Sequence, residues 1–290
     1  RVLFRSLYKD LSETNYIYTV WDLCHRDHPE FPEIRANRGF ELREKQFSEA
    51  LTKAVGIIVD SELGKQNLSR RFTVDLDRVF VIPFSPSISI NNGIDIDVKK
   101  LLDISTEYIF YPAQFWAHKN HIYILHGLKI LEEKFNISIF AVFSGVDKGN
   151  LSHIKSVAKE LQILNRVRFV GYIEDNKMAS FYKQSLGLVM PTYFGPTNLP
   201  PFEAFHLGVP VLYSDLRGLK EQVEDAALLL DLSNASSLAT HLYNLITDSS
   251  LKNILTNKGK TVIDKYNEID RLNIILNILQ QFKVKHATWK

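Results

Sequence analysis

From residue 108 onward the sequence alternates short, almost wholly apolar runs with longer stretches whose apolar residues recur every three or four positions. Residues 108–111, 137–143, 167–170, 186–190, 209–213 and 227–230 read as strands. Residues 121–134, 151–164, 175–184, 200–207 and 219–223 read as the helices between them. In the first of these helices Ile124, Leu125, Leu128 and Leu131 share one face. Strands that are apolar on both faces need cover on both faces, which a parallel sheet between helices provides. The expected fold class is therefore α/β, doubly wound and Rossmann-like. Upstream, residues 16–23, 56–59 and 79–82 read as strands and 40–54 and 62–72 as helices, too little for a complete domain. Residues 85–97, rich in Ser, Asn and Pro, form the expected linker. Three helices follow residue 230, near 236–247, 251–267 and 269–282.

Composition removes several function classes. The chain has 290 residues, room for two domains of about 150 residues each, and its 35 Lys+Arg and 33 Asp+Glu leave a formal charge of +2. A general nucleic-acid binder concentrates positive charge, so nucleic acid is not an expected partner. The single cysteine, Cys24, excludes an internal disulfide and a Cys-rich zinc site. No apolar run approaches the ~20 residues of a membrane helix. Residues 1–6, Arg-Val-Leu-Phe-Arg-Ser, match what the end of a common sequencing adapter encodes in one frame. They are expected to be an assembly artefact at the start of an N-terminally truncated chain.

Three segments place polar residues just after the C-terminal end of a strand, where open parallel sheets bind ligands. The first, residues 111–121, carries Gln114, His118, Lys119, Asn120 and His121. A lysine beside a helix N-terminus suits a diphosphate, although a solvated loop lysine fits the same spacing. The second runs from Thr192 through Gly195, Pro196, Thr197, Asn198, Leu199 and Glu203 to Pro210. Asn198 stands where a helix cap would, and Glu203 is read as an early-helix carboxylate favoured by the helix dipole. A well-capped helix with no further role fits this pattern too. The third, residues 214–221, ends in a glycine turn and Glu221, which also reads as an ordinary first-turn carboxylate.

Taken in order, these segments resemble the nucleotide-sugar-binding domain of GT-B glycosyltransferases of the retaining family 4 (group 1) type. The most specific part is Leu-Pro-Pro-Phe-Glu-Ala-Phe-His-Leu-Gly-Val-Pro-Val at 199–211, followed by Ser214, Asp215, Gly218 and Glu221. The resemblance implies two Rossmann-like domains facing a cleft, the first incomplete here. Residues 7–89 would be the C-terminal part of the acceptor-side domain, 90–268 the donor domain and 269–290 a C-terminal helix and tail. It implies that Glu203 holds the nucleotide ribose hydroxyls and that Lys119 neutralises the donor diphosphate. Backbone N–H groups of Asn198 and Leu199 would face that diphosphate, and Gly171 and Tyr172 would lie by the base. Gln114, Asn120, Gly195, Thr197 and Glu221 complete the implied donor set. The loop 20–30 resembles the family's His-containing loop facing the donor sugar, for which His25 or Asp22 are the candidates and His28 a third. His25 is the implied catalytic residue, with Asp22 and His28 on the acceptor side, and a capping or packing role fits His25 equally. Asp60 and Ser61 look like the strand end that closes the first domain.

Two positions depart from the family pattern. The first glutamate of its paired motif falls eight residues before Glu203, where this chain has Gly195; Thr197 or Asn198 are its candidate substitutes. The arginine five residues before the lysine is Gln114. His118 or His121 are the residues placed to compensate, though imidazole is mostly neutral at pH 7. The implied activity is transfer of a hexose from a nucleotide diphosphate sugar to a glycan or lipid-linked glycan hydroxyl in surface polysaccharide synthesis. It would need no metal or other cofactor and would take place in the cytoplasm, with peripheral contact at the inner face of the plasma membrane. The His25–His28 pair has no third ligand at zinc spacing. A non-catalytic nucleotide-sugar-binding module, supported by Gly195 and Gln114, is the alternative. An epimerase of the same fold lacks an evident His/Asp/Glu set, and no Gly-x-Gly-x-x-Gly follows a strand to favour an NAD enzyme. With its first domain incomplete, this chain is expected to be poorly active alone.

Overall fold

The computed structural model describes residues 13–86, 90, 93–195 and 197–289. Residues 1–6, part of the 85–97 linker and Pro196 lie outside the described residues. The chain forms two compact units, one of Ser85–Asn267 and one of the residues up to Phe84 together with those from Glu268.

The smaller unit is built on three parallel strands in sequential order: β1 (Ile17–Val20), β2 (Gly56–Val59) and β3 (Val79–Val81). Parallel neighbours need crossovers, supplied by helices Gly39–Lys53 and Glu62–Arg71. Val20, Leu23, Phe47, Leu51, Ile57, Val59, Leu68 and Val79 close the core beneath them. Ser61 caps the second helix by accepting from the Gly64 N–H at 3.0 Å, and its hydroxyl donates to the buried Asp60 at 3.1 Å. The last helix, Arg271–His286, belongs to this unit. Its Ile278 is buried beside Gly56, where a Cβ would come within 3.0 Å of it. Arg271 donates to the carbonyls of Pro83 and Phe84 at 2.8 and 2.9 Å. The tail expected as a separate segment is thus tied to the smaller unit.

The larger unit has six strands: β4 (Tyr108–Pro112), β5 (Phe140–Ser144), β6 (Val167–Gly171), β7 (Gly187–Met190), β8 (Val211–Ser214) and β9 (Ala227–Leu230). All pair in parallel, in the order β6-β5-β4-β7-β8-β9. From β4 the chain winds outward through β5 to β6, then returns to place β7 on the other side of β4. This is the doubly wound Rossmann order, with its direction of winding reversed between β4 and β7. The buried runs of β4, β5, β7 and β8 are those legible as apolar runs in the sequence. Burying each Leu, Ile or Phe contributes about 1.5–3 kcal/mol relative to exposure, which explains why these runs dictate the sheet. Helix His121–Phe135 follows β4 and packs on helix Ser236–Thr247 so closely that a Cβ at Gly127 would meet Leu238 at 2.6 Å. Beyond β5, Gly145 passes under the loop after β4, where a Cβ would lie 2.2 Å from the Ala113 carbonyl oxygen.

Candidate active site

In a doubly wound sheet the loops leaving the two strands at the reversal part to opposite faces and open a crevice at their carboxyl ends. Here those loops are residues 113–120 after β4 and 191–198 after β7. Lys119 ends a short 3-10 turn, Ala117–Lys119, and Asn120 in the left-handed conformation (φ 54°) leads into helix His121–Phe135. The fully buried Tyr111 of β4 donates its hydroxyl to the Lys119 carbonyl at 3.0 Å, fixing where the lysine leaves the sheet. The two loops are sewn together: Tyr193 N–H donates to His118 O at 2.9 Å, and the His118 ring stacks on Phe194 at 3.9 Å.

The Lys119 ammonium meets the second loop at Asn198 Oδ1, 3.4 Å away. Asn198 stands at the N-cap position of helix Leu199–His206, yet its side chain makes no capping bond. The reason is in the sequence. Capping oxygens serve the N–H groups of the second and third helical residues, and these are Pro200 and Pro201, which have none. The amide is therefore spent elsewhere: Nδ2 donates to the Tyr213 hydroxyl at 2.6 Å. That hydroxyl donates to Gln222 Oε1 at 3.1 Å. Gln222, buried in helix Leu219–Val223, also clasps the Asn198 backbone. Its Oε1 accepts the Asn198 N–H at 3.0 Å and its Nε2 donates to the Asn198 carbonyl at 2.6 Å. The Asn198 N–H expected to face a diphosphate is thus turned to Gln222. Among the first three helical residues, Leu199 (38% exposed) alone has an N–H to present.

Glu203 is the fifth residue of its helix, past the first turn, so the early-helix dipole reading does not hold. Instead the buried Tyr182, on helix Asp175–Lys183, donates its hydroxyl to Glu203 Oε2 at 2.7 Å. Burial raises the Glu203 carboxyl above the ordinary range, with the phenol's hydrogen bond opposing and the Asp175 charge adding. A half-buried carboxylate with one oxygen oriented is equipped to accept hydroxyl donors on the other. Glu221 accepts from the Gly218 N–H and so caps its own helix, the plainer of its two readings. Gly171 ends β6 at φ 66° with nothing near where a Cβ would project, and Tyr172 beside it is 75% exposed. Gln114 is exposed and accepts from Trp116 Nε1 at 3.0 Å. Thr197 is half-buried between Gly195 and Asn198. His121 supplies no compensating charge. It is fully buried against Tyr111, Phe115 and Phe143, and burial, aided by the charges of Lys119 and His118, pushes its pKa down to about 3.

The expected loop 20–30 contains a short helix, Cys24–Asp27, which turns His25 inward. His25 is 0% exposed between Phe40 and Phe47, its Nε2 2.7 Å from Glu44 Oε1. Burial first, then the Arg43 charge, lowers its pKa against the pull of Glu44. The buried Leu23 and Cys24 draw the turn into the core, so His25 takes the packed position that a structural role requires. Arg26 completes this knot with two bonds to Glu44 and one to the Arg71 carbonyl. Asp22 accepts from Cys24 N–H and Arg43. Its burial favours the neutral form, but Arg43 and Cys24 outweigh it and hold the carboxyl below its ordinary range. His28 pairs with Glu30 at 3.3 Å near the surface. Among the described residues, no group of three or more His, Cys, Asp or Glu is arranged to hold a metal, and no helix is long and apolar enough to cross a membrane.

A family model described as "Glycosyl transferases group 1" matches residues 94–262, more than half the chain. The chain belongs to the group 1 glycosyltransferase family. One relative of this group 1 chain is O-antigen chain mannosyltransferase B of Escherichia coli, 23% identical over 238 residues, which are 79% of this chain and 61% of that protein. The chain spans about half to three-fifths of the length of the curated relatives it matches over most of its own residues. Among solved structures, Anabaena Alr3699/HepE in complex with UDP-glucose aligns over 98% of this chain and 76% of its own, with a TM-score of 0.78 at 14% identity. Sucrose-phosphate synthase from Thermosynechococcus elongatus aligns over 97% and 71%, with a TM-score of 0.76 at 20% identity. These likenesses show the fold, the α/β parallel-sheet fold of GT-B glycosyltransferases. Tyr182 and Gln222, which hold Glu203 and Asn198 in the candidate site, escaped the sequence reading. Their signal was a polar group at an apolar helical phase, as in Leu219-x-x-Gln222-Val223, since a buried polar side chain implies a partner.

Proposed function

We propose that the protein is a retaining family 4 glycosyltransferase that moves a hexose from a nucleoside diphosphate sugar to a hydroxyl of a glycan or lipid-linked glycan. The observation that carries this reading is the juxtaposition of Lys119 Nζ and Asn198 Oδ1, 3.4 Å apart, on the two loops that part at the sheet's switch point. Glu203 lies one turn further along the helix that Asn198 begins. In the reaction the bond from the anomeric carbon to the diphosphate oxygen breaks and a bond to the acceptor oxygen forms. The electron pair departs with the diphosphate, which takes up the acceptor's proton. Lys119 stabilises the charge growing on that leaving group, the kind of electrostatic contribution that usually dominates such transfers. Glu203 accepts from the ribose hydroxyls and holds the donor in register. The chain's residues perform this without a metal. Relatives named O-antigen chain mannosyltransferases support surface polysaccharide as the setting, and a UDP-glucose complex of the same fold supports the donor class. The work would be done in the cytoplasm, at the membrane face where lipid-linked acceptors are assembled.

The test is a thermal-shift and transfer panel of nucleoside diphosphate hexoses, including UDP-glucose and GDP-mannose, on the wild type and on Lys119→Ala and Glu203→Gln. Donor binding raises the unfolding midpoint by mass action. Each variant is expected to lower turnover about 100-fold or more; rates near wild type for either would refute its role. Gly195 and Gln114 favour a second reading, donor binding without transfer, which predicts stabilisation by donor but neither its hydrolysis nor sugar transfer.

A further inference from the structure

Gly195 stands where the resembled family carries a carboxylate, and the structure supplies a reason. Its φ is 122°, a region that side chains rarely tolerate, and a Cβ there would lie 3.0 Å from Asn198 Nδ2 and 3.1 Å from Asn198 Oδ1. The neighbour has little room to yield. Its Nδ2 is held by Tyr213 at 2.6 Å, its Oδ1 faces Lys119, and its backbone is clasped on both sides by Gln222. Tyr213 is fully buried and Gln222 is 2% exposed, so these partners are themselves fixed by packing.

We propose that Asn198 is the positioning residue for the Lys119 ammonium, locked by Tyr213 and Gln222, and that position 195 is glycine because the Asn198 amide occupies the space a side chain there requires. The proposal rests on the reading of Lys119 as the diphosphate-binding cation. The bonds run in one direction. Gln222 Oε1 takes the Tyr213 proton, which leaves the phenol oxygen as the acceptor for Asn198 Nδ2. The amide's other end, Oδ1, is thereby presented to Lys119. The loop thus sets a neutral amide, rather than a carboxylate, against the Lys119 ammonium. Tyr213 and Gln222 act through Asn198.

The experiment measures binding of inorganic pyrophosphate, UDP and GDP, with uridine and guanosine as phosphate-free controls, on the full chain and its variants. Tyr213→Phe keeps the ring and removes the hydrogen bonds to Asn198 and Gln222. It is expected to weaken the diphosphates about fivefold, and Asn198→Ala about tenfold, as for one or two lost hydrogen bonds. Asn198→Asp, which sets a carboxylate against Lys119, should weaken them more than Asn198→Ala. The nucleosides should bind all these variants as they bind the wild type, and the unfolding midpoint of Tyr213→Phe should stay within a few degrees; a loss through general disorder would weaken nucleosides as well. Gly195→Glu, restoring the family's usual residue, should weaken diphosphate binding in the native background and weaken it less beside Asn198→Gly. Diphosphate affinities unchanged in Tyr213→Phe and Asn198→Ala, with Lys119→Ala weakened, would overturn the proposal. Affinities unchanged in Lys119→Ala, or no binding of any of the three phosphates to the wild type, would overturn the diphosphate reading beneath it.

Discussion

Replacing Tyr182 by phenylalanine isolates one oxygen atom. The Tyr182 ring is fully buried and stands edge-on to Phe110 at 5.0 Å, so phenylalanine refills the same space. What disappears is the 2.7 Å hydrogen bond to Glu203 Oε2. A hydrogen bond to a charged partner contributes about 1.5–3 kcal/mol, or roughly 10–100-fold in any equilibrium that needs the carboxylate. Burial already raises the Glu203 carboxyl and the phenol opposes that rise, so without the phenol the pKa climbs further. The ribose contact proposed for Glu203 draws on the ionised form, which is present above its pKa and lost as pH falls through it. The variant should therefore bind UDP or GDP more weakly at neutral pH and recover affinity only as pH is raised. Calorimetric titration of nucleotide between pH 5 and 9, set beside thermal midpoints to confirm folding, measures both effects. An affinity and a pH midpoint identical to wild type in a folded Tyr182→Phe protein would refute the reasoning.

Other consequences are accessible to stability measurements. His121 has a pKa of about 3 in the fold, against an ordinary value of 6.5, so the unfolded chain binds a proton that the folded chain refuses. That stability is fully present above pH 6.5 and drains away as pH falls toward 3, by about 2 kcal/mol at pH 5. His121→Phe should flatten the decline in chemical denaturation between pH 7 and 5, and an unchanged slope would count against it. Gly145→Ala drives a methyl into the Ala113 carbonyl. It should cost about 2–4 kcal/mol in urea unfolding, whereas a cost below 0.5 would show that the loop yields freely. Arg271→Ala removes both carbonyl bonds that moor the last helix. It should cost about 2 kcal/mol and hasten proteolysis after residue 267; cleavage at the wild-type rate would contradict that mooring.

The strands of both units were legible because each is an apolar run bounded by turn residues, and 56–59 and 227–230 fall where the sequence places them. The edges of others move by a residue or more; β5 begins at Phe140 because the 137–139 segment precedes the hydrogen-bonded ladder. Lys119, Asn198 and Glu203 were legible as residues but not as partners. Nothing in the spacing says that two prolines release Asn198 from capping, or that Tyr182 reaches a carboxylate 21 residues away. The position of His25 was not legible for a related reason. A polar residue beside a strand end looks solvent-facing until the short Cys24–Asp27 helix, too brief to show a period, turns it into the core.

The final helix has a consequence for how the molecule is made. A ribosome releases the chain from its N-terminal end, so β1, β2 and β3 emerge well before Arg271 and Ile278, which complete their unit. The larger unit has all its strands and helices by Asn267 and is free to fold during synthesis, ahead of the unit that precedes it in the sequence. Until the Arg271–His286 helix is made, the smaller unit waits with part of its apolar surface uncovered. A stop near residue 268 would thus disable the smaller unit, whose strands precede it in the sequence, rather than the larger one that it directly follows.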